Sequence, residues 1–403
     1  MSGNEMVTAC KEYLDFLCNG LSGRSTGSEG NRKATAWFRD RFIEMGWKTE
    51  CFEFDAIDWE EEGASLYCEE REFPVLVSPY APGFSGEGIL VTADTIAELE
   101  TVKARSNILL LSGDPAKEQL MPKNFVFYNP DSHQKIVSLL ENSGAAAIIC
   151  ATGKNPSLAG GVYPFPLIED GDFDIPSVYM KETDGEKLKE YAGKNVKLKS
   201  ISRRIPGKGY NVVCKKGTSD KKIVITAHID AKKGTPGAID NATGVIVLLL
   251  LGRLLNDYSG DKTIEIVAFN GEDYYSVPGQ MNYISNNYSN FGNILLNINI
   301  DGAGYIEGPS AFSLFDLSPG YTNKLKNVIK RYPDIVEGEQ WPQGDHSIFL
   351  YHGVPAVACS SNWFIENMSS QDITHTPKDN PGIVNCERII DIANALKEFI
   401  YEI

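Results

Sequence analysis

Residues 222–273 read KIVITAHIDAKKGTPGAIDNATGVIVLLLLGRLLNDYSGDKTIEIVAFNGED, and this stretch decides the fold. Lys222 to Ala227 is a short apolar run rich in β-branched residues, the signature of a buried strand, and it ends at His228. A Pro-Gly turn at 236–237 leads into a helix over about 242–257, with Val245 to Leu251 apolar without interruption. A helix apolar on every side is buried on every side, and this run is far shorter than the ~20 residues that cross a bilayer. Thr263 to Phe269 is the next apolar strand, ending at Asn270-Gly271-Glu272-Asp273. Two wholly apolar strands joined through a helix describe a parallel pair covered on both faces.

The same alternation runs outward. Further strands are predicted at 210–214, 293–300 and 355–359, and helices at 320–331 and 384–402. At the other end of the chain, helices are expected over 5–18 and 31–45, followed by a strand at 47–54. From about 56 to 205 the texture changes to short strands (107–111, 145–150, 175–179), one clear helix at 135–142, and many Pro and Gly residues. The expected fold is therefore α/β: a mixed, mainly parallel central sheet with helices on both faces, built from 1–55 and 206–403. Residues 56–205 form an inserted, smaller, β-rich α/β domain.

Composition narrows the function. The net charge of −16 is spread along the chain, which argues against a nucleic-acid partner, since that requires a basic face. No membrane partner is expected. The eight cysteines form no CxxC, several lie in apolar runs, and the first residues lack a basic and an apolar secretory region. Reduced thiols in a cytoplasmic protein are expected. The sequence does not fix the oligomeric state.

Chemistry collects at strand ends and turns. His228 and Asp230 leave the end of their strand on one side, so Asp230 is expected to hold one imidazole nitrogen while the other faces a metal. Asp240 sits at the start of the buried helix, where an Asp either caps the helix or bridges cations. Glu272 and Asp273 point apart, so one carboxylate can ligate while its neighbour remains a free base. Asp301 ends an apolar strand and is followed by Gly302 and Gly304, the usual place for a site in an open α/β sheet. His375 lies in a polar turn before the last helix. His346, after Asp345, reads as a ligand, a substrate contact or a support. His133 and His352 read as ordinary residues. Two imidazoles with several carboxylates are the parts that hold a pair of divalent cations around a water.

Together these segments resemble the co-catalytic zinc aminopeptidases and carboxypeptidases of peptidase family M28. The resemblance rests on His228-Ile-Asp230, Pro-Gly-Ala-x-Asp240-Asn-Ala-x-Gly, Glu272-Asp273, Asp301, Asp345-His346 with Gly353-Val-Pro355, and His375-Thr-x-x-Asp379. Arg24-Ser-Thr-Gly27-Ser28-Glu-Gly30 also looks like that family's amino-terminal loop. The resemblance implies a zinc-exopeptidase fold. It implies two divalent cations, zinc foremost: His228 and Asp301 on one, Asp273 and His375 on the other, and Asp240 bridging. It further implies Glu272 as the base, Asp230 in catalytic support, Asp345 and His346 at the substrate, a peptide as substrate, and a cis peptide after Asp240. Ser106-Asn-Ile-Leu-Leu, Ser143-Gly-Ala-Ala-Ala-Ile-Ile and Asp174-Ile-Pro-Ser-Val in the insertion resemble a protease-associated domain. One position departs from the pattern: Asp273 stands where the family more often has Glu.

Three rival readings share parts of this pattern. Glutaminyl cyclases resemble the same family and reuse much of the ligand set with one zinc. A non-catalytic binding scaffold on this fold would typically lack ligands that are all present here. A serine hydrolase would rest on Gly23-Arg-Ser25-Thr-Gly27, but that motif needs a preceding buried strand and here follows a helical segment.

Overall fold

A computed structural model describes residues 3–155 and 162–403. The chain forms two compact units, one made of Met1–Ala56 and Gly207–Ile403, the other of Ile57–Pro206.

In the first unit the strands lie in the order Ile335–Glu337, Ser310–Phe315, Ala356–Ser361, Ile294–Ile300, Lys222–His228, Thr263–Phe269, then the Val212–Lys216 stretch. Lys222–His228 pairs in parallel with both Thr263–Phe269 and Ile294–Ile300, and Ile294–Ile300 in parallel with Ala356–Ser361. Antiparallel pairs join Ser310–Phe315 to Ala356–Ser361, and Val212–Lys216 to Thr263–Phe269. The sheet is mixed and mainly parallel, as the sequence predicts. Ser310–Phe315 is the main departure. Its two serines and its position after Gly308-Pro309 read as a loop, yet it is buried along nearly its whole length.

Period two divides each strand between two cores. Ile223, Ile225 and Ala227 face the helices Gly3–Cys18, Thr243–Leu254 and Cys386–Glu402, together with Ile264, Ile266, Leu296, Ile298 and Ile300. Val245 to Leu251 are all fully buried there, and each side chain contributes roughly 1.5–3 kcal/mol of burial. On the opposite face Val224, Val267 and Phe269 pack against Tyr283, Ile348 and Phe349 of the helices Pro278–Asn287 and His346–Tyr351. The parallel strands therefore end together at one edge, where the loops carrying His228, Glu272, Asp273 and Asp301 emerge.

The second unit has its own parallel core. Leu90–Ala93, Ile108–Leu111, Ala147–Cys150 and the Ser177–Met180 stretch pair in sequence. The helices Ile96–Thr101, Asp131–Asn142 and Glu182–Lys189 accompany these strands, and the Phe84–Ile89 stretch pairs antiparallel with Asn195–Ser200.

Candidate metal centre

His228 ends its strand opposite Phe269 of the parallel neighbour, and Asp301 follows directly on Ile300. Asp240 lies in the turn Ala238–Ala242 ahead of the buried helix, and its peptide bond to Asn241 is cis. His375 adopts φ 60°, the left-handed region that bulky residues rarely occupy.

These residues, 147 positions apart at the extremes, converge in two triads. His228 Nε2 lies 3.1 Å from Asp240 Oδ1 and 3.5 Å from Asp301 Oδ1. His375 Nε2 lies 3.0 Å from Asp240 Oδ2 and 3.1 Å from Asp273 Oδ1. Asp240 thus belongs to both, one carboxylate oxygen toward each, and the ligand atoms of each triad lie within 4.8 Å of one another. A divalent cation fits this set by an independent sign. His228 Nε2 and Asp273 Oδ2 are buried and make no hydrogen bond among the described residues, as ligand atoms aimed at a common point would be. Imidazole with carboxylate suits zinc and other first-row divalent ions.

The electrostatics point the same way. Burial disfavours a charged His228, yet the charge of Asp301 and the contacts with Asp230 and Asp240 raise its pKa well above the ordinary value. His375 behaves alike, with burial outweighed by Asp273 and Asp240. Burial alone pushes a carboxyl up, but the two imidazoles hold Asp240 below the usual carboxylate range. Asp301 is raised, chiefly by burial and further by the charges of Asp240 and Asp273. Glu272 is raised well above the ordinary range, by burial first, with Asp273, Asp301 and Asp345 adding to it. So many buried carboxylates demand positive charge between them.

Asp230 does more than the sequence predicts. His228 Nδ1 lies 3.2 Å from the Asp230 main-chain oxygen but 3.6 Å from its carboxylate, beyond a hydrogen bond. The carboxylate instead accepts the N–H groups of Gly271 (2.8 Å), Glu272 (3.3 Å) and Asp273 (3.0 Å), and the Thr26 hydroxyl (3.1 Å). The turn after Phe269 has three N–H groups with no strand partner, and a buried carboxylate satisfies all of them. Asp230 therefore sets the position of the Glu272-Asp273 pair.

Asp345 and His346 stand outside both triads. His346 is fully buried, with Nε2 3.0 Å from the Trp341 main-chain oxygen and its ring against Phe315 and Trp341. Burial lowers its pKa to about 4, against the raising effect of the Trp341 carbonyl. It supports the 341–346 loop. Asp345 Oδ1 accepts from Gln280 Nε2 at 2.8 Å.

Two residues that carry no individual role in the sequence motifs hold Asp240. The Asp379 carboxylate accepts the N–H groups of Ile239 (2.6 Å) and Asp240 (3.1 Å). Buried Arg24 donates to the carbonyls of Leu17, Ile229, Pro236 and Gly237. The 236–240 segment is thus gripped through its carbonyls by a cation and through its N–H groups by an anion. Gly237 is required in this grip: its φ is 60°, and a Cβ there would meet Ala231 Cβ at 2.6 Å and Arg24 Nη2 at 2.9 Å. Asn241 then links two candidate ligands, its Nδ2 donating to the Ile300 carbonyl just before Asp301. Both anchors lie in the quoted motifs, so their charge was the available signal.

Residues 211–400 match the sequence profile of peptidase family M28. Aminopeptidase YwaD of Bacillus subtilis is 24% identical over 273 residues, which cover 65% of this chain and 58% of that protein. A probable leucine aminopeptidase 2 of Aspergillus oryzae is 24% identical over 193 residues, covering 43% of this chain and 38% of that protein. The chain therefore spans little more than half of the first relative's length and less of the second. Among solved structures, an aminopeptidase from Aneurinibacillus sp. strain AM-1 matches with a TM-score of 0.75 at 18% identity, covering 98% of this chain and 93% of that one. A zinc aminopeptidase from Bacillus subtilis gives 0.74 at 18% identity, over 98% and 94% of the two chains. At such identities these two structures speak to the fold.

Proposed function

We propose that this chain, whose residues 211–400 match the profile of peptidase family M28, is a metal-dependent aminopeptidase whose centre takes two divalent cations, zinc foremost. The observation that carries this reading is the division of Asp240, with one oxygen in each His-carboxylate triad. In this reading His228, Asp240 and Asp301 hold one cation, and Asp240, Asp273 and His375 hold the other. When bound, such cations polarise a scissile carbonyl and acidify water. Glu272, placed by the Asp230 grip on its N–H, accepts the proton of the attacking water at a carboxylate oxygen and passes it to the leaving amine nitrogen. Its raised pKa is the direction that work requires. The relatives named above are aminopeptidases, and peptides with a free amino terminus are accordingly the substrate class. The inserted unit is read as a protease-associated-like domain. A cytoplasmic location belongs to the same reading, from cysteines that form no CxxC.

The test is metal content per chain together with amino-acid release from free-amino-terminus peptides. Two ions and release abolished by chelator are expected. A single ion without release, but with cyclisation of amino-terminal Gln, would replace the peptidase by a cyclase. In Glu272→Gln the ions should stay while turnover falls by about 100- to 10,000-fold; substantial turnover would remove Glu272 as the base.

A further inference from the structure

We propose that Asn31 is a positioning residue for the reaction. Paired amide to amide with Asn270, 239 positions further along the chain, it fixes the start of the turn that carries Glu272. This role rests on the reading of Glu272 as base.

Asn31 and Asn270 are both fully buried. Asn31 Nδ2 donates to Asn270 Oδ1, and Asn270 Nδ2 donates back to Asn31 Oδ1, each at 2.8 Å. Two reciprocal bonds close a ring, and neither side chain can turn without losing both. The amide groups also reach the main chain: Asn31 Nδ2 donates to the Arg24 carbonyl at 2.9 Å, and Asn270 Nδ2 to the Tyr210 carbonyl at 3.3 Å. The Thr26 hydroxyl, which serves Asp230, lies 3.2 Å from Asn270 Oδ1 as well. Every polar atom of the two side chains is therefore partnered, which gives a buried amide one orientation. Apolar side chains of that size would fill the space without fixing a direction.

What the pair fixes follows along the chain. The Asn270 N–H donates to Asn211 Oδ1 at 3.1 Å, and the next three N–H groups, of Gly271, Glu272 and Asp273, go to Asp230. Asp230 thus holds the N–H side of the turn, while Asn31 holds its first side chain. Asn31 is itself set firmly in the helix Glu29–Glu44. Its N–H donates to the capping Ser28 hydroxyl oxygen at 3.1 Å, and its carbonyl accepts from the Thr35 hydroxyl at 2.7 Å. Neutral amides do not titrate, and neither asparagine belongs to a candidate ligand triad. Their contribution is geometric. A general base acts only within hydrogen-bond reach of its proton, and a misplacement of about 1 Å costs about 100-fold in rate.

The test uses the whole chain, metal-loaded. In Asn31→Ala both ions should stay and KM should hold within about twofold, while kcat falls about 10- to 100-fold. An unchanged kcat overturns the proposal, and so does a loss confined to stability or to metal content. Asn270→Ala opens the same ring from the other side and should lower kcat alike, so it serves if Asn31→Ala does not fold. The double variant should be no slower than the slower single one, because the two amides act as a unit; losses that multiply overturn the pairing. In a Glu272→Gln background Asn31→Ala should cost less than about twofold, since the base it positions is already gone. An active Glu272→Gln overturns the base and this role with it. An inactive Glu272→Gln beside a fully active Asn31→Ala overturns this role alone.

Discussion

Replacing Asp230 by Asn changes one oxygen of a buried carboxylate into an amide nitrogen and leaves the shape alone. The wild-type Oδ1 accepts two N–H groups, of Gly271 and Glu272, and Oδ2 accepts the Asp273 N–H and the Thr26 hydroxyl. The Thr26 hydroxyl can reverse and accept from the new NH2, but the Asp273 N–H cannot. With the amide oxygen kept at the Oδ1 position, one buried N–H loses its acceptor and faces a donor, costing about 1–3 kcal/mol. The two surviving bonds also lose the charge that roughly doubles their strength. A total of roughly 2–4 kcal/mol is expected, a large share of the ~5–15 kcal/mol that stabilises an ordinary domain. Because the lost bond belongs to Asp273, affinity in the Asp273–His375 triad should fall about 10- to 100-fold. Urea denaturation of the metal-free protein reads the first effect. Metal retained after dialysis against graded chelator reads the second. A loss below about 0.5 kcal/mol with both ions retained would refute the view that Asp230 sets this turn, and would return it to service as the His228 partner.

Further outcomes follow from the same geometry. Asp379→Asn turns one of the two acceptors for Ile239 and Asp240 into a donor, so metal affinity should drop about 10- to 100-fold; unchanged affinity by calorimetric titration would show that Arg24 alone holds the segment. His375 is 25% exposed whereas His228 is 1% exposed, so the ion of the His375 triad should leave first under limiting chelator. His375→Ala should keep one ion per chain, and loss of both would show that the two sites are inseparable. Buried His346, with its pKa near 4, is neutral in the fold and must be desolvated to charge. Its contribution is present at neutral pH and is lost as pH falls from about 6.5 toward 4, roughly 3 kcal/mol. The stability lost between pH 7 and pH 4 should shrink by about that amount in His346→Phe, and an unchanged loss would place the titration elsewhere.

Reading along the chain worked wherever the decisive information was local. Val245 to Leu251 could only be buried, and the strands before His228, Glu272 and Asp301 showed themselves by apolar run and length. Ser310–Phe315 was invisible because two serines mask a strand that is buried by its neighbours on both sides in the sheet. The anchors were harder still. Asp379 reaches Asp240 across 139 residues and Arg24 reaches Gly237 across 213, and no periodicity encodes contacts made only after the sheet has formed.

The sequence by itself determined the main strand–helix alternation, the α/β class, and the acids and imidazoles that stand at strand ends. Burial pattern and period are properties of short windows, so a linear string carries them. Only the tertiary structure decided that Asp240 turns its two oxygens toward different histidines, that Asp230 grips the Glu272-Asp273 turn, and that Gln280 meets Asp345. Each of these depends on the direction of a side chain relative to a distant backbone, and the packed sheet alone fixes that direction.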